Sequence, residues 1–147
     1  MATMDAKGIF IDTNVLIYAN NRESPLCEVA RGTLDELNRS GNTLFVSNQV
    51  IREYLVIMTR PGFIEKPISL ESAIEDAKRI IKEFSLLFAD RSSLDKLIEL
   101  VLNHAIRGKK IHDAAIVSLM LTNGTTDILT HNIDDFKSFP EITIHSL

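Results

Sequence analysis

Short apolar runs that stop at a polar residue alternate along this chain with longer stretches of helical periodicity, and that alternation constrains the fold more than any other feature. Residues 8–11 read Gly-Ile-Phe-Ile and end at Asp12, a length and setting that suit a buried strand better than a helix. Runs at 43–46, 86–88, 128–130 and 142–144 repeat the signal. Between them, residues 13–20 form a helical turn or two, followed by a polar break over 20–25. Residues 26–39 place Leu26, Val29, Ala30, Thr33, Leu34 and Leu37 at helical spacing, closed by Ser40 and Gly41. Ser47 and Asn48 offer side-chain acceptors that start a helix running to about residue 59. Pro61, Gly62 and Pro67 make 60–69 a loop, after which 70–84 and 92–106 are amphipathic. Residues 111–121 are apolar almost all round, as in a helix buried against several neighbours, and Asn123 and Gly124 end it.

Strands alternating with helices predict parallel βαβ units with right-handed crossovers, and so a three-layer α/β domain with a central parallel sheet. Ligands in such folds bind beyond the carboxyl ends of the strands, at a topological switch point. Asp12 and Thr130 both stand at that end of a predicted strand.

The 147 residues, 45% of them hydrophobic, suffice for one domain with a sizeable core, and a single domain over 1–147 is expected. No apolar run approaches the roughly 20 residues of a membrane-spanning helix. Residues 1–7 lack the apolar stretch of a secretory signal, and Cys27 has no partner for an internal disulfide. These features fit a soluble cytoplasmic protein without membrane association. A net charge of −4 excludes binding of nucleic acid through a general positive field. A polyanionic substrate then needs local help, from Arg107, Lys109 and Lys110 or from metal ions on acidic residues; taken alone, that basic patch also reads as a solvated loop.

Four acidic positions are candidates for chemistry. Asp12 ends the first strand and reads equally as a helix cap or a metal ligand. Glu53 lies on the edge of the stripe formed by Val50, Tyr54, Ile57 and Met58, so its carboxylate faces inward, where it needs a metal or a salt bridge such as Arg52 or Arg60 would give. Asp113 gives the strongest signal of the four, sitting among Ile111, Ala114, Ala115, Ile116 and Val117 with no basic residue after it until Lys137; favourable placement in a first helical turn is the alternative. Near the C-terminus, Thr130, Asn132, Asp134 and Asp135 are also turn formers, and spacing does not say which aspartate faces a site. Converging carboxylates suit a hard cation such as Mg²⁺, which takes oxygen ligands and keeps waters. Their mutual repulsion should raise at least one pKa.

Residues 11–19, Ile-Asp-Thr-Asn-Val-Leu-Ile-Tyr-Ala, resemble the opening motif of the PIN domain, particularly in VapC-type toxins of prokaryotic toxin–antitoxin systems. Residues 47–55 with Glu53, residues 111–116 (Ile-His-Asp-Ala-Ala-Ile) and residues 129–136 resemble the later acidic blocks, in the family's order and over nearly the whole chain. The resemblance implies a PIN-like fold and an endoribonuclease dependent on Mg²⁺, with Mn²⁺ as a substitute. Asp12 and Asp113 would be the main metal ligands, Glu53 would complete the set directly or through water, and Asp135 would be the fourth acid. Some relatives carry Asp where this chain has Asn132, so Thr130, Asn132 and Asn14 would support the site through hydrogen bonds. A small antitoxin whose C-terminal segment masks the site, and a homodimer, are likewise implied.

Other readings fit less well. A haloacid dehalogenase phosphatase needs a second Asp two positions after the first, where Asn14 stands, and an HD phosphohydrolase built on His112-Asp113 lacks its supporting histidines. A PIN nuclease of RNA processing, outside any toxin pair, and a non-catalytic module that binds RNA or protein remain as alternatives.

Overall fold

The computed structural model describes residues 6–147, so most of the segment read for a secretory signal lies outside the described residues. Strands β1 (Gly8–Ile11), β2 (Thr43–Ser47), β3 (Ser85–Leu87), β4 (Asp127–Thr130) and β5 (Thr143–Ser146) form one sheet in the order β3-β2-β1-β4-β5. Every pairing is parallel. Helices α1 (Thr13–Asn20), α2 (Cys27–Arg39), α3 (Asn48–Met58), α4 (Leu70–Glu83), α5 (Arg91–Asn103) and α6 (Lys110–Thr122) flank it. The expected three-layer α/β architecture is therefore present, with element boundaries displaced by at most three residues.

Local chemistry accounts for the element starts. The Ser47 hydroxyl accepts from the Val50 amide at 3.2 Å and opens α3, while Ser69 accepts from Ser72 to open α4. Asp90 and Ser93 form a reciprocal capping box at α5. The apolar central strands β1 and β4 are buried on both faces, as the interior of a parallel sheet requires. Gly8 permits a close approach: a Cβ there would stand 2.6 Å from the Phe45 ring and 2.8 Å from the Thr125 hydroxyl.

One sequence expectation shifts. Val29, assigned to the apolar stripe of α2, is 51% exposed; that helix buries only Cys27 and Ala30 fully. A short 3-10 turn, Ile133–Asp135, follows β4, where the turn-forming residues stand. Among the described residues, no helix is long and apolar enough to cross a membrane.

Strand order determines where a site can form. The chain moves outward from β1 to β2 and β3, then returns to the other side of β1 for β4 and β5. The connections that leave β1 towards β2 and β4 towards β5 thus diverge, leaving a crevice at the carboxyl ends of these two strands. Ile11 pairs with Leu129, so Asp12 and Thr130 leave the sheet side by side at that crevice.

Candidate active site

Asp12 is both a helix cap and a member of a buried polar cluster. It is 8% exposed, and its extended backbone leads β1 into α1. Oδ1 accepts from the Thr13 amide at 2.8 Å. Oδ2 accepts from the Thr130 hydroxyl at 2.8 Å and from the Asn14 side-chain amide at 3.3 Å. Asn14 Oδ1 in turn accepts from the His131 backbone N–H at 3.1 Å, which ties the start of α1 to the loop after β4.

Glu53 reaches the same place from α3. Its Oε2 accepts from the Thr13 hydroxyl at 2.8 Å and its Oε1 from the Gln49 amide at 3.0 Å. Neutral donors therefore hold it where a salt bridge to Arg52 or Arg60 was the alternative. Each carboxylate oxygen retains a lone-pair direction for a further ligand.

Asp113, half-buried in the first turn of α6, is pushed up to about 7, first by burial and then by the negative charge of Asp135 and Asp12, with Glu53 adding to the effect and Lys110 opposing it. Asp12 is raised to about 6, chiefly by burial; hydrogen bonds from Thr130 and Thr13 work against the rise, and Glu53 and Asp135 add to it. Burial thus leads and the expected repulsion follows. These mutual effects mark Asp12, Glu53, Asp113 and Asp135 as one electrostatic cluster.

The 3-10 turn separates the two adjacent aspartates. Asp134 is exposed and pairs with Lys137, whose hydrogen bond and charge hold its pKa below the usual value. Asp135 is half-buried and acts on Asp12 and Asp113. Asn132 contributes its backbone, donating its N–H to the Thr130 hydroxyl at 3.0 Å, while its residue is otherwise exposed. Sequence reasoning overlooked the Thr13 hydroxyl and Gln49. The Gln49 contact was detectable as an i, i+4 pair with Glu53 on one helix face. Within the basic patch, Lys110 acts on the carboxylates, and Arg107 and Lys109 are exposed.

The donor set consists of hard oxygens in a partly water-accessible crevice. Among the described residues, no three Asp, Glu, His or Cys side chains are drawn together as a finished metal cage. Mg²⁺ is nonetheless suited to such a place, because it binds through one or two carboxylates and keeps several waters. The excess of negative charge, opposed mainly by Lys110, fits a divalent cation on chemical grounds.

In sequence and in fold the chain is similar to known proteins. Ribonuclease VapC24 of Mycobacterium tuberculosis is 25% identical over 131 residues, covering 88% of this chain and 89% of its own. VapBC2 from Rickettsia felis, solved with a DNA fragment from its promoter, superposes with a TM-score of 0.73 at 19% identity, over 95% of this chain and 98% of its own. A toxin–antitoxin complex from Klebsiella pneumoniae matches at 0.65 and 15% identity, over 95% and 99% of the two chains. The family model of the PIN domain matches residues 9–142, and the chain belongs to the PIN domain family.

Proposed function

We propose that this chain is a divalent-metal-dependent endoribonuclease that hydrolyses RNA phosphodiester bonds and serves as the toxin of a type II toxin–antitoxin pair. One observation carries the reading: Asp12, Glu53, Asp113 and Asp135 stand near enough for their charges to act on one another, with Asp12 and Asp113 raised to about 6 and about 7. Carboxylates held in that state have electrostatic reason to take a cation.

Asp12 and Asp113 are the proposed main ligands for Mg²⁺ or Mn²⁺, with Glu53 and Asp135 completing the acidic set. A bound divalent ion supplies neutralisation of the phosphate charge and acidification of water. Thr130 and Asn14 fix the Asp12 carboxylate; Thr13 and Gln49 fix Glu53 so that it orients the attacking water. The water oxygen forms a bond to phosphorus and gives up a proton to bulk water as the P–O bond to the leaving nucleotide breaks, and the departing oxygen takes up a proton from solvent to leave as a hydroxyl. Lys110 lies close enough to influence Asp113 and is placed to attract the incoming phosphate.

A ribonuclease name among the relatives and a toxin–antitoxin complex among the structural neighbours support the toxin assignment. The proposal extends to a single domain over 1–147, a cytoplasmic protein, an antitoxin covering the acidic crevice, and a homodimer. The test is cleavage of RNA by the purified protein with Mg²⁺ or Mn²⁺ and silence in a chelator; undiminished cutting in excess chelator sinks the metal mechanism. Expression alone should arrest growth, and co-expression of the neighbouring small gene should restore it. Harmless expression with no captured partner would instead assign the same chemistry to RNA processing.

A further inference from the structure

Beside the carboxylates lies an aromatic cluster that the hydrolytic chemistry does not use. The Tyr18 ring is 5.7 Å from Phe63, tilted by 42°, and 5.2 Å from the His131 ring in an edge-to-face arrangement. Tyr18 is half-buried, His131 is exposed, and Phe63 is 53% exposed. The three come from different places: Tyr18 from α1, Phe63 from the segment between α3 and α4, and His131 from the loop after β4.

Phe63 is not carried outward by a slack loop. Its neighbour Ile64 is 3% exposed and belongs to the core. The Gly62 N–H donates to the Ile64 carbonyl at 3.3 Å, and the Ile68 N–H donates to the Met58 carbonyl at 2.9 Å, closing the segment at its base. Gly62 itself adopts φ of 140°, a conformation that favours glycine. The loop is thus pinned through Ile64 while the adjacent aromatic ring meets water, an arrangement that leaves apolar area open where burial would stabilise the fold.

The cluster is continuous with the proposed active site. Tyr18 stands four residues after Asn14 on the same face of α1. His131 directly follows Thr130, and its backbone N–H is bonded to Asn14. On the other flank, a hollow of about 250 Å³ is lined by Arg52, Glu53, Val56, Ile57 and Arg60. Arg60 begins the loop that presents Phe63, and neither Arg52 nor Arg60 is engaged in an ion pair among the described residues. Aromatic faces and free guanidinium groups therefore border the carboxylates, in a protein whose overall charge opposes a polyanion.

We propose that Tyr18, Phe63 and His131 form a stacking platform for an unpaired base of the RNA strand, with Arg52 and Arg60 beside the adjoining phosphates. This deepens the ribonuclease reading and rests on it for the substrate class. Bases within a duplex are stacked on one another and cannot reach such a platform, so the platform selects single strands, loops or bulges. Aromatic stacking tolerates any base, which allows positioning of the strand without fixing its sequence.

The test uses the full chain carrying Asp113→Asn, with Mg²⁺, so that binding is read separately from cutting. The probe is an oligouridylate strand in which one base is a fluorescent purine analogue, placed at successive positions. Binding should quench the analogue at one or two positions. Phe63→Ala should weaken affinity by roughly five- to a hundredfold and remove the quench, and Phe63→Trp should restore both. The same strand paired into a duplex should show no dependence on Phe63. Equal affinity and quench in Phe63→Ala overturn the platform, as does an equal dependence on Phe63 with duplex. Loss of antitoxin binding in Phe63→Ala with unchanged RNA binding also overturns it, assigning the patch to a protein partner. A parallel cleavage assay with Asp113 intact separates the two ideas: a strand that stacks on Phe63 but is never cut defeats the nuclease reading alone, and one cut equally well by Phe63→Ala with unchanged affinity defeats the platform alone.

Discussion

Thr130 directs its one hydroxyl proton to Asp12 across 118 residues of chain, at 2.8 Å. The other side of that oxygen is occupied: Asn132 donates its backbone N–H at 3.0 Å, and the Asn14 amide nitrogen lies at 3.3 Å. A hydroxyl has one donor and two acceptor positions, so its inventory is complete and its proton has only Asp12 to serve. Thr130→Val keeps the shape but strands a backbone donor and removes support from the Asp12 carboxylate. Stability should fall by about 1–3 kcal/mol, and metal affinity by about 10- to 100-fold. Thr130→Ser should recover most of both. Calorimetric Mn²⁺ titration and denaturant melts check this, and a Val variant matching the wild type in both would refute it.

Two adjacent aspartates should differ sharply. Asp134 is exposed and pairs with Lys137, an interaction of little stabilising value at a surface. Asp135 belongs to the acidic cluster. Asp135→Asn should cut RNA cleavage by at least about tenfold, whereas Asp134→Asn should leave it unchanged. Equal losses in both variants, read as kcat/KM on one RNA, would show that the turn is needed as a unit and remove the special role of Asp135.

Much of this site is legible in the sequence because Asp12 and Asp113 stand at element boundaries. Asp12 follows a short apolar run that suits a strand better than a helix, and Asp113 opens a helix whose nearly uniform apolarity singles it out. Their convergence needs the strand order: nothing in residues 8–11 and 128–130 states that β1 and β4 are neighbours. The choice between Asp134 and Asp135 depends on a three-residue turn whose composition is compatible with either orientation. Thr13 was hidden for a different reason. Its hydroxyl bonds Glu53, forty positions away, and a threonine after a capping aspartate carries no local sign of that task. The exposure of Val29 shows the same limit from the other direction, since helical spacing identifies a stripe but not how far the neighbouring layer covers it.

Metal-free stability should depend on pH with a sign opposite to that of ordinary salt-bridged carboxylates. Asp12 and Asp113 ionise near 6 and near 7 in the fold, against 3.8 without its influence. Between those limits the folded chain holds more protons than the unfolded one, so these groups favour the fold below about pH 4, and their contribution is lost as pH rises through about 6 to 7. Mg²⁺ must displace the same protons, so its binding should strengthen over that window. Thermal melts from about pH 5 to about pH 8 should show the metal-free midpoint falling and the increment from Mg²⁺ growing. A metal-free midpoint that climbs across this range, with the same slope in Asp113→Asn, would exclude these two groups as its determinants.

Asp113→Asn is the strongest single test of whether the carboxylates act together. The substitution retains the side chain's size and an oxygen acceptor in the first turn of α6, but removes the charge that burial, Asp135 and Asp12 all oppose. If Asp113 serves only the helix dipole, the variant should be less stable without metal and should still cut RNA. If it belongs to a metal site, the metal-free variant should be as stable as the parent or more so, because a repelled and desolvated charge has gone. The parent should gain about 2.7 kcal/mol from a free ion concentration a hundredfold above Kd, provided the unfolded chain binds none. Most of that gain should vanish in the variant together with cleavage. Melts of both proteins with and without Mn²⁺, run beside an RNA cleavage assay, distinguish the two patterns, and an active Asp113→Asn protein would end the assignment of Asp113 to the site.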